Sequence, residues 1–81
     1  MSIRVLFFAS LADIAGVREA TIDASGFTDV EPIFNQFAKE HPSLEAHRKS
    51  VLFGLNSEFA RAGSPVRDGD EVAFFPPVSG G

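Results

Sequence analysis

Residues 28–42 read TDVEPIFNQFAKEHP, and the fold turns on how this stretch is read. Its apolar residues, Val30, Ile33, Phe34, Phe37 and Ala38, fall at i, i+3, i+4, i+7 and i+8, the stripe of an amphipathic helix. Thr28 with Glu31 three residues on has the form of a capping box, and Pro32 lies in the first turn, where a missing amide donor costs little. Pro42 ends the helix near His41. A helix with one apolar face needs a layer to cover it, and the flanking sequence offers strands on both sides.

Upstream, Ile3 to Phe8 is short, branched and aromatic, and predicts a strand. If Arg4 faces water, period-two alternation puts Ile3, Val5 and Phe7 in the core and leaves Leu6 and Phe8 outside. Ser10 is placed to cap a short helix, Leu11 to Ala15, closed by Gly16. Val17 to Asp23 reads as a weaker, edge-like strand. Downstream, Leu44 to Lys49 is a loop or a turn of helix, Val51 to Leu55 a strand, and Asn56-Ser57 a turn into a short strand at Glu58 to Arg61. Gly63, Ser64 and Pro65 break the chain, and Asp68-Gly69-Asp70 turns it into a last strand, Glu71 to Phe75, ended by Pro76 and Pro77. The order predicts an α+β roll: a mixed sheet of about five strands with one long helix and short helices on one face. Residues 1–75 are expected to form the domain and 76–81 an extended flexible tail ending in Gly-Gly.

Composition limits what such a domain can do. The chain has 81 residues, nine Phe, no Trp or Tyr and no Cys, which removes disulfides, thiolate metal sites and thiol nucleophiles from consideration. Its net charge is -4, and its only adjacent basic pair, Arg48-Lys49, reads as solvated surface, so a nucleic-acid partner is not expected. No apolar run approaches the roughly 20 residues of a membrane span, and no signal peptide is evident, so a soluble, cytoplasmic protein is expected. Catalytic groupings are nearly absent. His41 and His47 lack metal-ligand spacing, the glycines at 26, 54, 63 and 69 are isolated, Asp68, Asp70 and Glu71 suit a turn better than a calcium loop, and no serine sits in a nucleophile elbow. Neither a metal site nor a self-contained enzyme is expected.

Two features remain. Glu71 sets the parity of the last strand, placing Val72 and Phe74 inward and Ala73 and Phe75 outward. If the first and last strands are neighbours, Leu6, Phe8, Ala73 and Phe75 form an exposed apolar patch beside the exit of the tail, which a monomer seldom keeps without a partner. The other reading folds these aromatics under a loop. Phe59 is left with its side undecided, because Glu58 and Arg61 have opposite parity. At the tail, two glycines without Cβ could enter a narrow tunnel in a partner, or simply fray.

The run Asp68-Gly69-Asp70-Glu71-Val72-Ala73-Phe74-Phe75-Pro76-Pro77-Val78-Ser79-Gly80-Gly81, with Val5-Leu6-Phe7-Phe8-Ala9 near the start, resembles the small, sulfur-carrying subunits of molybdopterin synthase. The resemblance implies the ubiquitin-like β-grasp fold. It implies that the Gly81 carboxylate is adenylated by an E1-like adenylyltransferase using ATP and converted to a thiocarboxylate by a sulfurtransferase or cysteine desulfurase, with no cofactor bound to the carrier itself. Val78, Ser79 and Gly80 would insert into the large subunit, and Leu6, Phe8, Phe59, Phe75 and Pro76 would meet it, in a heterotetramer that converts cyclic pyranopterin monophosphate to molybdopterin. The family often has a basic residue in the first short helix, where this chain has Leu11-Ala12-Asp13, so an ion pair from that helix is not carried over. The alternatives are a thiamine-pathway sulfur carrier, a ubiquitin-like protein modifier, or a passive β-grasp binding module.

Overall fold

The computed structural model describes residues 1–77. Five strands, β1 (Ser2–Phe7), β2 (Glu19–Asp23), β3 (Leu52–Leu55), β4 (Glu58–Ala60) and β5 (Glu71–Phe75), form one sheet in the order β2-β1-β5-β3-β4. The central pair, β1 and β5, runs parallel, and the other neighbours are antiparallel. The helices are α1 (Ser10–Ala15), α2 (Val30–Glu40) and a 3-10 turn, η1 (Pro42–His47). This is the mixed five-stranded roll that the order of elements predicts.

Alternation in the central strands decides which side is the core. Ile3, Val5 and Phe7 of β1 and Val72 and Phe74 of β5 are buried, and they meet Val30, Ile33, Phe34, Phe37 and Ala38 of α2 in one cluster with Leu11 and Leu44. Phe74 is its hub. Its ring lies 5.5 Å from Phe7, 5.4 Å from Phe34 and 5.6 Å from Phe53, centroid to centroid, and Phe37 meets Phe7 edge to face at 5.0 Å. Edge-to-face contacts of this kind add about 1 kcal/mol beyond the area they bury. β2, at the edge, buries only the face carrying Ala20 and Ile22, and those only in part.

Three local expectations are corrected. Thr28 and Glu31 form no capping box. Asp29 is the N-cap but its side chain caps no helix amide, Thr28 Oγ1 donates to Asp29 Oδ1 at 2.6 Å, and the first amides of α2, Val30 and Glu31, donate to the carbonyls of Ser64 and Ala62 at 3.1 and 2.9 Å. The Gly63 turn, folded against the helix start, thus does what a cap would have done. Ser10 does not cap α1 but lies inside it. The preceding Ala9 occupies the N-cap with φ 51° and ψ -130°. Arg48 is not loose surface: its guanidinium binds Glu45, donates to Asn35 Oδ1 at 2.6 Å, reaches Glu31 Oε2 at 3.4 Å and lies 5.2 Å from the centre of the Phe34 ring, tying η1 to α2. Among the described residues no helix is long and apolar enough to cross a membrane.

Candidate functional site

The face of the sheet turned away from α2 is built from the other parity of the same strands. Register places Arg4 beside Glu71, Leu6 beside Ala73, and Leu52 beside Phe75. On the far side Ala73 lies opposite Gly54, and Gly54 opposite Phe59. The face is therefore divided along its strands. At one end Arg4 pairs with Glu71 and, at 3.4 Å, with Glu19. The end where β5 finishes is apolar.

Phe8 and Phe75 anchor that end. The Phe8 amide donates to the Phe74 carbonyl at 3.1 Å, extending the β1–β5 pairing one residue beyond the strand, and the Phe8 ring stacks on Phe75 at 4.7 Å and 15°. Phe8 is 41% exposed, Phe75 half-buried, and Phe59, its ring 6.4 Å from that of Phe75, is 83% exposed. Phe59, undecided by charge parity, thus faces outward, because its register partner Gly54 does. Leu6 and Pro76 are half-buried beside these rings. Ala73 corrects the expected patch: it points outward but is buried, since a methyl group between Leu6, Gly54 and Phe75 is too short to clear its neighbours. Leu52, 36% exposed and opposite Phe75, joins the patch instead. It was missed because β3 carries no charge to fix its parity. Its separation from Gly54 by two residues was the available signal.

Between Phe59 and Phe75 lies a recess of about 150 Å³ over Gly54 and Ala73, with Glu71 beside it. A larger, shallow concavity of about 870 Å³ runs between α2 and η1. Of the polar residues that line it, Arg48 already binds Asn35 and Glu45. The hydrogen bond from Arg48 holds the Glu45 carboxyl below its ordinary range and raises the guanidinium in turn. That is the signature of a tie between elements rather than of a poised acid or base. Among the described residues no group of His, Asp and Glu could hold a metal ion. The tail expected over residues 76–81 enters the described residues only at Pro76 and Pro77. Val78, Ser79, Gly80 and Gly81, assigned to insertion and sulfur carriage, lie outside them.

This face offers a partner an apolar surface. The model of the ThiS family matches residues 5–81. The molybdopterin synthase sulfur carrier subunit of Chlamydomonas reinhardtii is 40% identical over 83 aligned residues, covering all of both chains. That of Escherichia coli K12 is 38% identical, covering 98% of this chain and 99% of the relative. Among solved structures, SAMP1 from Haloferax volcanii, a small archaeal modifier protein, superposes over the full length of both chains with a TM-score of 0.81 and 34% identity.

Proposed function

The chain belongs to the ThiS family, and from that premise we propose that it is the sulfur carrier subunit of a molybdopterin synthase, with sulfur borne on the carboxyl group of Gly81. The observation that carries this reading is the end-to-end match to proteins of that name, 40% identical in the alga. The exposed aromatic end of the sheet, beside the point where β5 leads into Pro76, supports it by giving a large subunit a surface to hold.

The chemistry follows from what a carboxylate lacks. Its charge is delocalised and oxide is a hopeless leaving group, so Gly81 needs activation before it can accept sulfur. An E1-like adenylyltransferase supplies it: the carboxylate attacks the α-phosphorus of ATP, pyrophosphate leaves, and the acyl adenylate gains AMP as a good leaving group. The outer sulfur of a persulfide on a sulfurtransferase or cysteine desulfurase attacks the acyl carbon and displaces AMP; a second thiol then cleaves the resulting acyl disulfide, itself becoming a disulfide with the donor cysteine, and Gly81 is left as the thiocarboxylate. In the large subunit that sulfur passes to cyclic pyranopterin monophosphate, where acid–base groups of the partner do the work. Gly80 and Ser79 keep the approach slim, Val78 gives the tail a side chain to seat, and Pro76-Pro77 stiffen its departure from the sheet.

Intact mass spectrometry tests the proposal. Incubated with ATP, the cognate adenylyltransferase and a sulfur source, the chain should gain the mass of one oxygen replaced by sulfur, located at Gly81. An unmodified chain, under conditions that charge a control carrier, would rule the reading out. A second reading, a ubiquitin-like modifier, is supported by the likeness to SAMP1. It predicts isopeptide bonds from Gly81 to lysines of other proteins and no conversion of the pterin precursor by the charged chain plus large subunit.

A further inference from the structure

We propose that Asn56 is a positioning residue of the docking face: its side chain clasps the β3–β4 hairpin to the start of β5 and so holds the Phe59 ring beside Phe75. This rests on the docking role given to that face above, and adds to it a residue that acts through Phe59.

Phe59 needs such a residue because its own strand is weakly held. β4 has three residues, lies at the edge of the sheet and pairs with β3 alone. Glu58 and Phe59 are exposed and Ala60 is half-buried, so burial does little to fix the strand. Beyond its far end, the carbonyls of Ala62 and Ser64 are tied to the first amides of α2. At the near end the hairpin turns on two residues, Asn56 and Ser57, both with positive φ, 52° and 72°, as a type I′ turn requires.

Asn56 does more than make the turn. Its main-chain amide donates to the Glu71 carbonyl at 2.8 Å, one step beyond the Leu55–Val72 pair, and the Glu71 amide donates in return to Asn56 Oδ1 at 2.9 Å. The side-chain oxygen thus stands where a continuing strand would offer its own carbonyl. Asn56 Nδ2 donates to Asp70 Oδ1 at 3.0 Å, and Asp70 Oδ2 accepts the Arg67 amide at 2.9 Å, which fixes that carboxylate within its own turn. The clasp needs one acceptor and one donor on a short stem at a left-handed position. Asparagine meets all of these demands; glycine supplies only the backbone, and aspartate has the reach but no donor to offer Asp70. Since β5 also carries Phe75, fixing the hairpin against β5 fixes the 6.4 Å spacing and 57° tilt between the Phe59 and Phe75 rings.

The test reads that ring contact by nuclear Overhauser effects, and the binding of the full chain to the large subunit of molybdopterin synthase from the same organism. Asn56→Gly suits the turn and removes the clasp, while Asn56→Asp keeps the turn and sets a second carboxylate against Asp70. Thermal unfolding confirms that each variant is folded at the temperature of the binding measurement. In both, contacts between the Phe59 and Phe75 rings should weaken while those between Phe8 and Phe75 persist. Phe59→Ala should weaken binding about tenfold, and Asn56→Gly roughly threefold to fivefold. Because Asn56 acts through Phe59, Asn56→Gly should cost less than about twofold in the Phe59→Ala background. A residue that only stabilised the fold would lower the melting temperature, leave the ring contact intact and add its binding cost in full. Either an intact ring contact in both variants or full additivity with Phe59→Ala overturns the proposal and leaves the docking face standing. If Phe59→Ala itself leaves affinity unchanged, the docking role of Phe59 fails and this proposal with it.

Discussion

Ala9 holds a backbone conformation that suits glycine, φ 51° and ψ -130°, at the first central position of a turn closed by the Leu11 amide donating to the Phe8 carbonyl at 3.1 Å. Those angles are close to the first central position of a type II′ turn, where a Cβ is crowded. Ala9→Gly should relieve that crowding by more than it adds to the freedom of the unfolded chain. A net gain of about 1 kcal/mol would appear as a melting temperature raised by roughly 4–8 °C; an unchanged or lowered midpoint would show that the turn carries no strain. Phe75, half-buried on the outer face, is the complementary case, a residue to which the proposed function gives a docking role. Phe75→Asp should leave the chain folded by circular dichroism and weaken large-subunit binding by about 2 kcal/mol or more, the worth of a desolvated aromatic anchor. Single residues also show how far sequence reasoning reaches. Arg4 and Glu71 each carry a charge that fixes strand parity, so the inward set of β1 and β5 and the outward turn of Phe8 and Phe75 were legible. Ala73, Phe59 and Leu52 were not, because their exposure depends on the size of neighbours across the sheet, and register is not written in the strand itself.

Elements are held to one another by contacts that periodicity does not predict. The stripe on α2 was legible because one apolar face is a local property of eleven residues, but its capping was not: the carbonyls that satisfy its first amides come from Ala62 and Ser64, about thirty residues away in sequence. The same holds for η1, whose attachment to α2 runs through Arg48, a residue that looked like free surface beside Lys49. Arg48→Met should keep the methylene packing on Phe34 and lose the ties to Glu45, Glu31 and Asn35, lowering the melting temperature by roughly 4 °C. Acid should loosen the same joint. Glu45 is held below its ordinary 4.5 by the Arg48 hydrogen bond, so its contribution is present above that value and is lost as pH falls through the lowered folded value. Asp23, lowered from 3.8 by the Ser25 amide and hydroxyl, behaves likewise at the end of β2. Arg48, raised above its ordinary value by the hydrogen bond to Glu45, stays charged throughout this range. Amide protection in residues 44–48, relative to the intrinsic exchange rate at each pH, should fall below about pH 4.5, and in Arg48→Met it should be lower at neutral pH and show a weaker acid dependence.

At the scale of the molecule, the nine Phe divide by function. Phe7, Phe34, Phe37, Phe53 and Phe74 pack against one another, Phe27 is partly buried at the margin, and Phe8, Phe59 and Phe75 lie on the outer face. The apolar load of so short a chain is thus a core plus a surface, separated by the thickness of one sheet. The buried cluster runs in sequence from Ile3 to Phe74, so the proposed function assigns carriage to residues outside that span. If that separation holds, deleting Gly80 and Gly81 should leave the melting temperature within about 1 °C of the parent, since no residue of the core is removed. The shortened chain should still bind the large subunit through Phe8, Phe59 and Phe75, more weakly for want of the inserted end, and should compete with the intact carrier. It should not acquire sulfur, because Gly81 is absent, and the pterin precursor should remain unconverted. A midpoint lowered by several degrees would mean that the last residues contribute contacts to the fold, and sulfur still transferred by the shortened chain would move the carrier group to another atom.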